Sequence, residues 1–335
     1  MGVPAPYDTG GRLPESRARY FSEDENMKNK KLMGNGLLLF TAMIWGTAFV
    51  FQRVGMEHIE PVTFNAARMA LAAVAVGLVS LLTKKRGNHS SARLTAEEQK
   101  RYKRNTVIGG ILCGCFLALG SIFQQMGLVY TTAGKAGFIT AMYILLVPVI
   151  GFVFFRRKST WLVWLGVLLG VAGMYLLCIS GEFRLSHGDT LIFLCAVFFS
   201  GHILCCDHFV QRGDAVRISA IQFATVTVIS AAVALTTESP SVEKLISAIV
   251  PILYCGLVSG GVGYTLQIVA QKYTEPTVAS LMMSMESVFA AIAGAILLHE
   301  RMSVRELTGC LIMFAAIVLV QIPLPGKKKN NTKIF

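Results

Sequence analysis

Residues Tyr273–Glu300, YTEPTVASLMMSMESVFAAIAGAILLHE, decide how the rest of the chain is read. The stretch opens on a polar turn and continues as an apolar helix. It carries one carboxyl group near its middle, Glu286, and another at its end, Glu300. A helix needs about 20 apolar residues to cross a hydrocarbon core of about 30 Å, and a carboxyl group inside such a span is costly. A degraded copy lies 143 residues earlier, at Tyr130–Arg157. At that offset Gln124 falls on Gln267, Tyr130 on Tyr273, Thr131 on Thr274, Ala136 on Ala279 and Gly166 on Gly309. The chain is therefore read as two copies of one unit.

Composition sets the medium. Of 335 residues, 54% are hydrophobic and 15% charged, against about a quarter charged in a soluble domain. The charges are also segregated: apolar runs of spanning length alternate with short polar connections. Ten spans are expected, at 32–52, 61–82, 106–129, 134–155, 160–180, 189–210, 217–236, 246–269, 277–298 and 305–323. The fold class is an all-α polytopic membrane protein, ten transmembrane helices arranged as two inverted five-helix repeats. Residues 32–180 form the first repeat and 189–323 the second, with a basic tail at 324–335. Residues 1–31 are polar and predicted to be disordered, and Met27, before Lys28-Asn29-Lys30-Lys31, is a candidate true start.

Counting Lys and Arg sets the orientation. With the N-terminus inside, the cytoplasmic segments hold 24 and the outer connections six, while Arg68 lies within a span. Both termini are thus expected in the cytoplasm. Five spans per copy is odd, so the copies must insert with opposite topology. Their first halves align at an offset of 154, which places Trp45 on Phe199, Gly46 on Ser200 and Arg68 on Gln222; the basic loop 83–105 accounts for the change in offset.

Several function classes drop out. The net charge of +12 comes from basic residues beside spans, not along one amphipathic face, so no nucleic-acid partner is expected. The eight cysteines sit in apolar segments, where a free thiol packs as a small hydrophobe. No nucleotide-binding loop, metal-protease motif or nucleophile elbow is present, so neither a cofactor nor an enzyme activity is expected. Duplicated units of opposite topology are the sequence mark of a secondary transporter, with a small-molecule substrate and the bilayer as its partners. Protons are a further candidate partner, and monomer and homodimer are equally compatible with the sequence.

The residues resemble the EamA-type transporters of the drug/metabolite transporter superfamily. The resemblance rests on Trp45-Gly46 in the first span and on Pro61, Phe64 and Arg68 in the second. It rests further on the Tyr130-Thr131 and Tyr273-Thr274 turns, the Ser284-Met-Glu286-Ser-Val-Phe289-Ala run, Glu300-Arg301 and Gly309. It implies a ten-helix fold whose central cavity is built from the first four helices of each repeat, with export of small metabolites in many members. Two positions depart from the family: Arg157 stands where the second copy has Glu300, and Ser287 follows the mid-helix Glu where Pro is frequent.

Candidate transport residues are the polar groups inside spans. Arg68 and Glu286 lie in the middle third of the bilayer, at depths about 6 Å apart, and either pair or line one cavity at two levels. A guanidinium fork suits carboxylates, which favours amphoteric solutes such as amino acids, and Glu286 would hold a proton or a substrate ammonium. Asn65 lies one turn from Arg68. Gln124 and Gln267 occupy equivalent places, and Trp45, Tyr143, Tyr264 and Phe289 supply aromatic wall. Pro251, Gly260, Gly261 and Gly263 mark the eighth span as a bending helix. The turns before the fourth and ninth helices are expected to be ordinary N-caps. His202, Cys205, Cys206, Asp207 and His208 cluster in the sixth span, where a proton relay ranks above a soft-metal site and packing above both; no metal is expected. The alternatives to an exporter are an importer of the same fold, a non-transporting scaffold or sensor, and a lipid-acting enzyme built on the 202–208 cluster.

Overall fold

Every ordered element among the described residues is helical. The structure is a computed structural model that describes residues 15–84, 95–130, 133–157, 159–178, 186–297 and 303–321. The helices are α1 (Glu15–Gly55), α2 (Pro61–Lys84), α3 (Ala96–Leu128), α4 (Ala133–Thr140), α5 (Tyr143–Phe155), α6 (Trp161–Cys178), α7 (His187–Val210) and α8 (Ala215–Thr237). They continue as α9 (Val242–Ser247), α10 (Ile249–Leu253), α11 (Tyr254–Tyr264), α12 (Thr265–Ala270), α13 (Pro276–Met283), α14 (Glu286–Leu297) and α15 (Val304–Gln321). Eight stretches are long and apolar enough to cross a membrane: Asn29–Gly55, Pro61–Leu82, Ala96–Leu128, Ala136–Phe155, His187–Val210, Ala215–Thr237, Ile249–Ala270 and Pro276–Ala293. Trp161–Leu176 is a shorter apolar helix, and α15 runs for 18 residues. This is a multi-pass membrane protein.

Local sequence explains where the helices start and where they depart from expectation. α1 begins at Glu15, so the helix of the first span extends back into the polar tail. No Gly or Pro interrupts ESRARYFSEDENMKNKK, and a helix propagates cheaply once the apolar span has nucleated it. Residues 1–14 lie outside the described residues. α3 likewise starts ten residues before the expected span, because Thr95 and Glu98 form a capping box in which the Thr95 side chain accepts the Glu98 N–H and the Glu98 carboxylate accepts the Thr95 N–H. The turn before α13 is not a side-chain cap. Glu275 occupies the N-cap with no such bond, Pro276 opens the helix, and the Thr274 hydroxyl instead bonds Asn35 Oδ1 at 3.0 Å. Of the corresponding earlier turn, Thr131 lies outside the described residues.

Two departures from regular helix matter for the site. Helix breaks lie between Thr140 and Tyr143, where α4 gives way to α5, and between Met283 and Glu286, where α13 gives way to α14, the same place at the 143-residue offset. Both breaks tighten to three-residue turns, with Ile144 N bonding Ala141 O at 3.0 Å and Ser287 N bonding Ser284 O at 3.2 Å. In the eighth span α11 is π-helical over 11 residues, and it contains Gly260, Gly261 and Gly263; Pro251 precedes it in α10. Wide turns of this kind occur mostly at functional sites.

The packing scheme is paired. α3 lies along α7 and α8, and α11 lies along α1 and α2. α1 also packs on α13 and α14, as α7 packs on α4 and α5. α2 meets α8, α5 meets α13 and α6 meets α15. Exchanging the two sequence copies maps this scheme onto itself. Glycine makes the closest approaches possible. A Cβ on Gly173 of α6 would stand 2.8 Å from Gly309 O of α15, and one on Gly256 of α11 would stand 2.8 Å from Arg68 O of α2.

Candidate functional site

The central cavity lies among spans from both copies. Its wall is formed by Trp45, Ala48, Phe49 and Gln52 of α1, Arg68 of α2, Gln124 of α3 and Tyr143 of α5. The second copy adds Phe199, His202 and Ile203 of α7, Ser259 and Tyr264 of α11, Gln267 of α12 and Glu286 of α14. Its volume is about 30 Å³, room for a water or two. The lining is itself paired across the copies. Trp45 corresponds to Phe199, Ala48 to His202, Phe49 to Ile203, Gln124 to Gln267 and Tyr143 to Glu286 at the offsets found in the sequence.

Arg68 is 3% exposed and is oriented from behind. Its Nε and Nη2 both donate to Asn65 Oδ1, at 3.0 and 2.9 Å. The Asn65 amide donates to Ser121 Oγ at 3.0 Å and to Ser230 Oγ at 2.9 Å, tying α2 to α3 and α8. Phe64 lies under the guanidinium, 5.7 Å from its centroid. This fixes the fork while leaving its far side toward the cavity. Asn65 is not part of the cavity wall; its amide hydrogens bond Ser121 and Ser230 and its oxygen accepts from Arg68.

Glu286 opens α14 at the break after α13, so its side chain leaves the helix at its first turn. It is 3% exposed, and its Oε1 accepts the Tyr143 hydroxyl at 2.9 Å. Among the described residues no ion pair joins Arg68 to Glu286, so of the two arrangements open in the sequence the structure has them lining one cavity. Trp45 donates from Nε1 to Ser259 O at 3.3 Å and its ring lies 4.6 Å from that of Tyr264. A Cβ on Gly263 would stand 2.7 Å from Trp45 Nε1, so glycine in the π-helical stretch is what lets the indole sit there.

The amides are partly spent and partly free. Gln124 donates to Thr140 Oγ1 at 3.4 Å, and Gln267 donates to Gln271 Oε1 at 3.2 Å while its own Oε1 is buried without a partner. Gln125 donates to Gln52 Oε1 at 2.7 Å, a pair the sequence reading passed over because nothing in one span announces its partner in another. Gln222, the counterpart of Arg68, meets His202 Nε2 at 3.0 Å and holds that ring at the cavity wall. His202 also lies 3.3 Å from Cys206 Sγ, and Asp207 forms an ion pair with Arg157 at 2.7 Å. No group of three or more His, Cys, Asp or Glu among the described residues is arranged to hold a metal.

The cavity lies between the two copies, with Arg68 on the continuous α2 and Glu286 at a helix break, and comparison with known proteins names the family. The EamA-like transporter family matches residues 32–179 and again 186–322. The chain belongs to the EamA-like transporter family. It is 28% identical over 298 residues to an uncharacterized transporter of Archaeoglobus fulgidus, covering 88% of this chain and 87% of that one. It is 23% identical to the uncharacterized transporter YoaV of Bacillus subtilis, covering 84% of this chain and 94% of that one. A solved structure described only as that of a protein superposes with a TM-score of 0.68 at 17% identity, covering 88% of this chain and 96% of the other, which shows a shared fold. As a membrane transporter of the EamA-like family, the protein sits in a bilayer and acts on small molecules.

Proposed function

We propose that the protein exports small amphoteric metabolites, amino-acid-like solutes foremost, across the cytoplasmic membrane by alternating access. Ten spans in two inverted five-helix repeats, with both termini in the cytoplasm, form its scaffold. α6 and α15 supply the spans beyond the eight that qualify by length and composition. A contact scheme that maps onto itself on exchange of the copies supports the repeat, and the excess of basic residues in one set of loops supports the orientation.

One observation carries the substrate class: a guanidinium and a carboxyl group face one buried cavity without neutralising each other. A solute that brings its own carboxylate and ammonium meets both partners, and burial makes each contact count. Gln124, Gln267, Trp45 and Tyr264 line the space between. Glu286 exchanges its proton for the solute ammonium, which couples flux to the proton gradient. The small cavity fits an occluded step, and the π-helical α11, with Gly260, Gly261 and Gly263 after Pro251, is the element that bends to open it.

The test is the melting point of the purified protein against amino acids, polyamines, nucleosides and organic acids. Amino acids should raise it, and Arg68→Ala should remove the rise while leaving the ligand-free melting point close to wild type. A rise with polyamines alone would sink the amphoteric assignment. Direction follows from vesicles: an exporter loads inside-out vesicles under an imposed proton gradient. If Glu286→Gln keeps its full dependence on that gradient, proton coupling through this residue is lost.

A further inference from the structure

A second concavity lies outside the transport cavity, on the face formed by α4 to α7. It is lined by Phe138, Ile139, Met142, Leu168, Tyr175 and Phe193, among others, and has a volume of about 950 Å³. Its wall is almost wholly apolar, and the polar residues Asp189 and Thr190 stand at one end. Along α6 it runs from Leu168 to Leu176, eight residues or about 12 Å, close to the thickness of one leaflet of a hydrocarbon core. The lining is accessible: Leu168 is 62% exposed, Phe193 47% and Tyr175 45%.

A cation stands at the rim. Arg305, in the first turn of α15, lies over the Tyr175 ring with its guanidinium carbon 5.6 Å from the centroid. Two carboxylates among the described residues are already engaged. Glu306 accepts from the Ser303 N–H and hydroxyl at 2.6 and 2.9 Å, and Asp189 accepts the Ser186 N–H at 2.6 Å in the capping box of α7. Among the described residues no carboxylate is paired with Arg305, which stands at the rim of the groove.

We infer that this groove is a binding site for one anionic glycerophospholipid of the surrounding bilayer. An acyl chain lies along Leu168–Leu176 and the phosphate rests on Arg305. Concavity and a rim cation set the site apart from the convex apolar surface that any lipid wets. The floor of the groove is the break in the fourth span: Met142 lines the groove and Tyr143, the next residue, lines the transport cavity. A bound lipid therefore buttresses the half-helix that carries the partner of Glu286.

Native mass spectrometry of the full chain in micelles tests this, with dioleoylphosphatidylglycerol and dioleoylphosphatidylcholine as probes. Wild type should hold one phosphatidylglycerol per chain and prefer it about fivefold, the worth of one surface cation. Arg305→Gln should erase the preference while binding both lipids. Ala172→Trp, which fills the groove from an exposed wall position, should cut retention of both about tenfold. Leu168→Trp repeats that test from the other end should the first variant fold poorly. Undiminished retention in a well-folded filled variant would overturn the site, and a preference that survives Arg305→Gln would overturn the headgroup assignment. A wild-type dimer that Ala172→Trp turns into monomer would make the groove a contact between copies and sink the proposal.

Discussion

Tyr143 and Glu286 occupy the same place in the two copies of the unit, each the first residue of the half-helix after a break, and each faces the other. Duplication explains the correspondence, because the two residues fall at equivalent positions of the two sequence copies. Divergence explains the chemistry. Two tyrosines there would give a neutral contact, and two carboxyl groups would repel; one of each gives a donor and an acceptor 2.9 Å apart. The pair Arg68 and Gln222 teaches the same lesson. One copy presents a guanidinium to the cavity, while in the other the amide turns to hold His202. The duplicated fold sets the places, and single substitutions in one copy decide what each place does.

The comparison can be broken at its centre. Glu286→Gln should lower transport about a hundredfold, as expected when a group that exchanges a proton is replaced by one that cannot, whereas Tyr143→Phe, which removes one hydrogen bond, should cost about tenfold. Initial rates in proteoliposomes, with and without a pH gradient, measure both. If the two variants were equivalent, the carboxyl group would have no role beyond its hydrogen bond. If only Tyr143→Phe were damaging, the roles would be reversed.

A smaller effect sharpens the contrast between packed and open places in a single helix. At Gly46 a Cβ would lie 2.6 Å from Phe289 Cβ and 2.7 Å from Glu286 O, so Gly46→Ala should destabilise by about 1–3 kcal/mol. Gly36, with nothing within 4 Å of the added carbon, should tolerate the same change or gain from it. Melting points of the two variants side by side decide whether the α1–α14 contact is as tight as the geometry says.

The smallest effect lies outside the spans. Glu60, between α1 and α2, accepts a hydrogen bond from Lys244, and that bond holds its carboxyl below the usual value of 4.5. A depressed carboxyl adds stability above its unfolded value and loses it as pH falls through the folded one. Glu60→Gln should therefore lower stability at neutral pH by no more than about 1 kcal/mol, and the difference should fade below pH 4. A difference that grew on acidification would mean that the carboxyl is stabilised in its protonated form.

Much of this was legible before any coordinates. Span length, the segregation of charge and the two offsets depend on the solvent and on duplication, and both write themselves along the chain. Arg68, Glu286, Gln124, Gln267, Trp45 and Tyr264 were all found by one rule, that polar and aromatic groups inside a span need a reason, and the structure brings all six to one cavity. What the rule did not reach was neighbours that sequence does not reveal. Asn65 shares a helix face with Arg68 and so looked like a second ligand, yet Ser121 and Ser230, on two other helices, claim its amide. Tyr143 was read as wall because its value lies in the carboxyl group across from it. The polar tail has no apolar run of its own, and α1 reaches back into it as far as Glu15.

The sequence by itself determined the medium, the duplication and which side chains are too costly to sit in lipid without a task, since each follows from the transfer of single groups between water and hydrocarbon. Only the tertiary structure decided that Arg68 and Glu286 face a common cavity without pairing, that Asn65 hydrogen-bonds Arg68, Ser121 and Ser230, and that the helix breaks bring Tyr143 to Glu286. Those are distances between residues far apart in the chain, and they are set by the packing of helices whose order along the sequence is not their order in space.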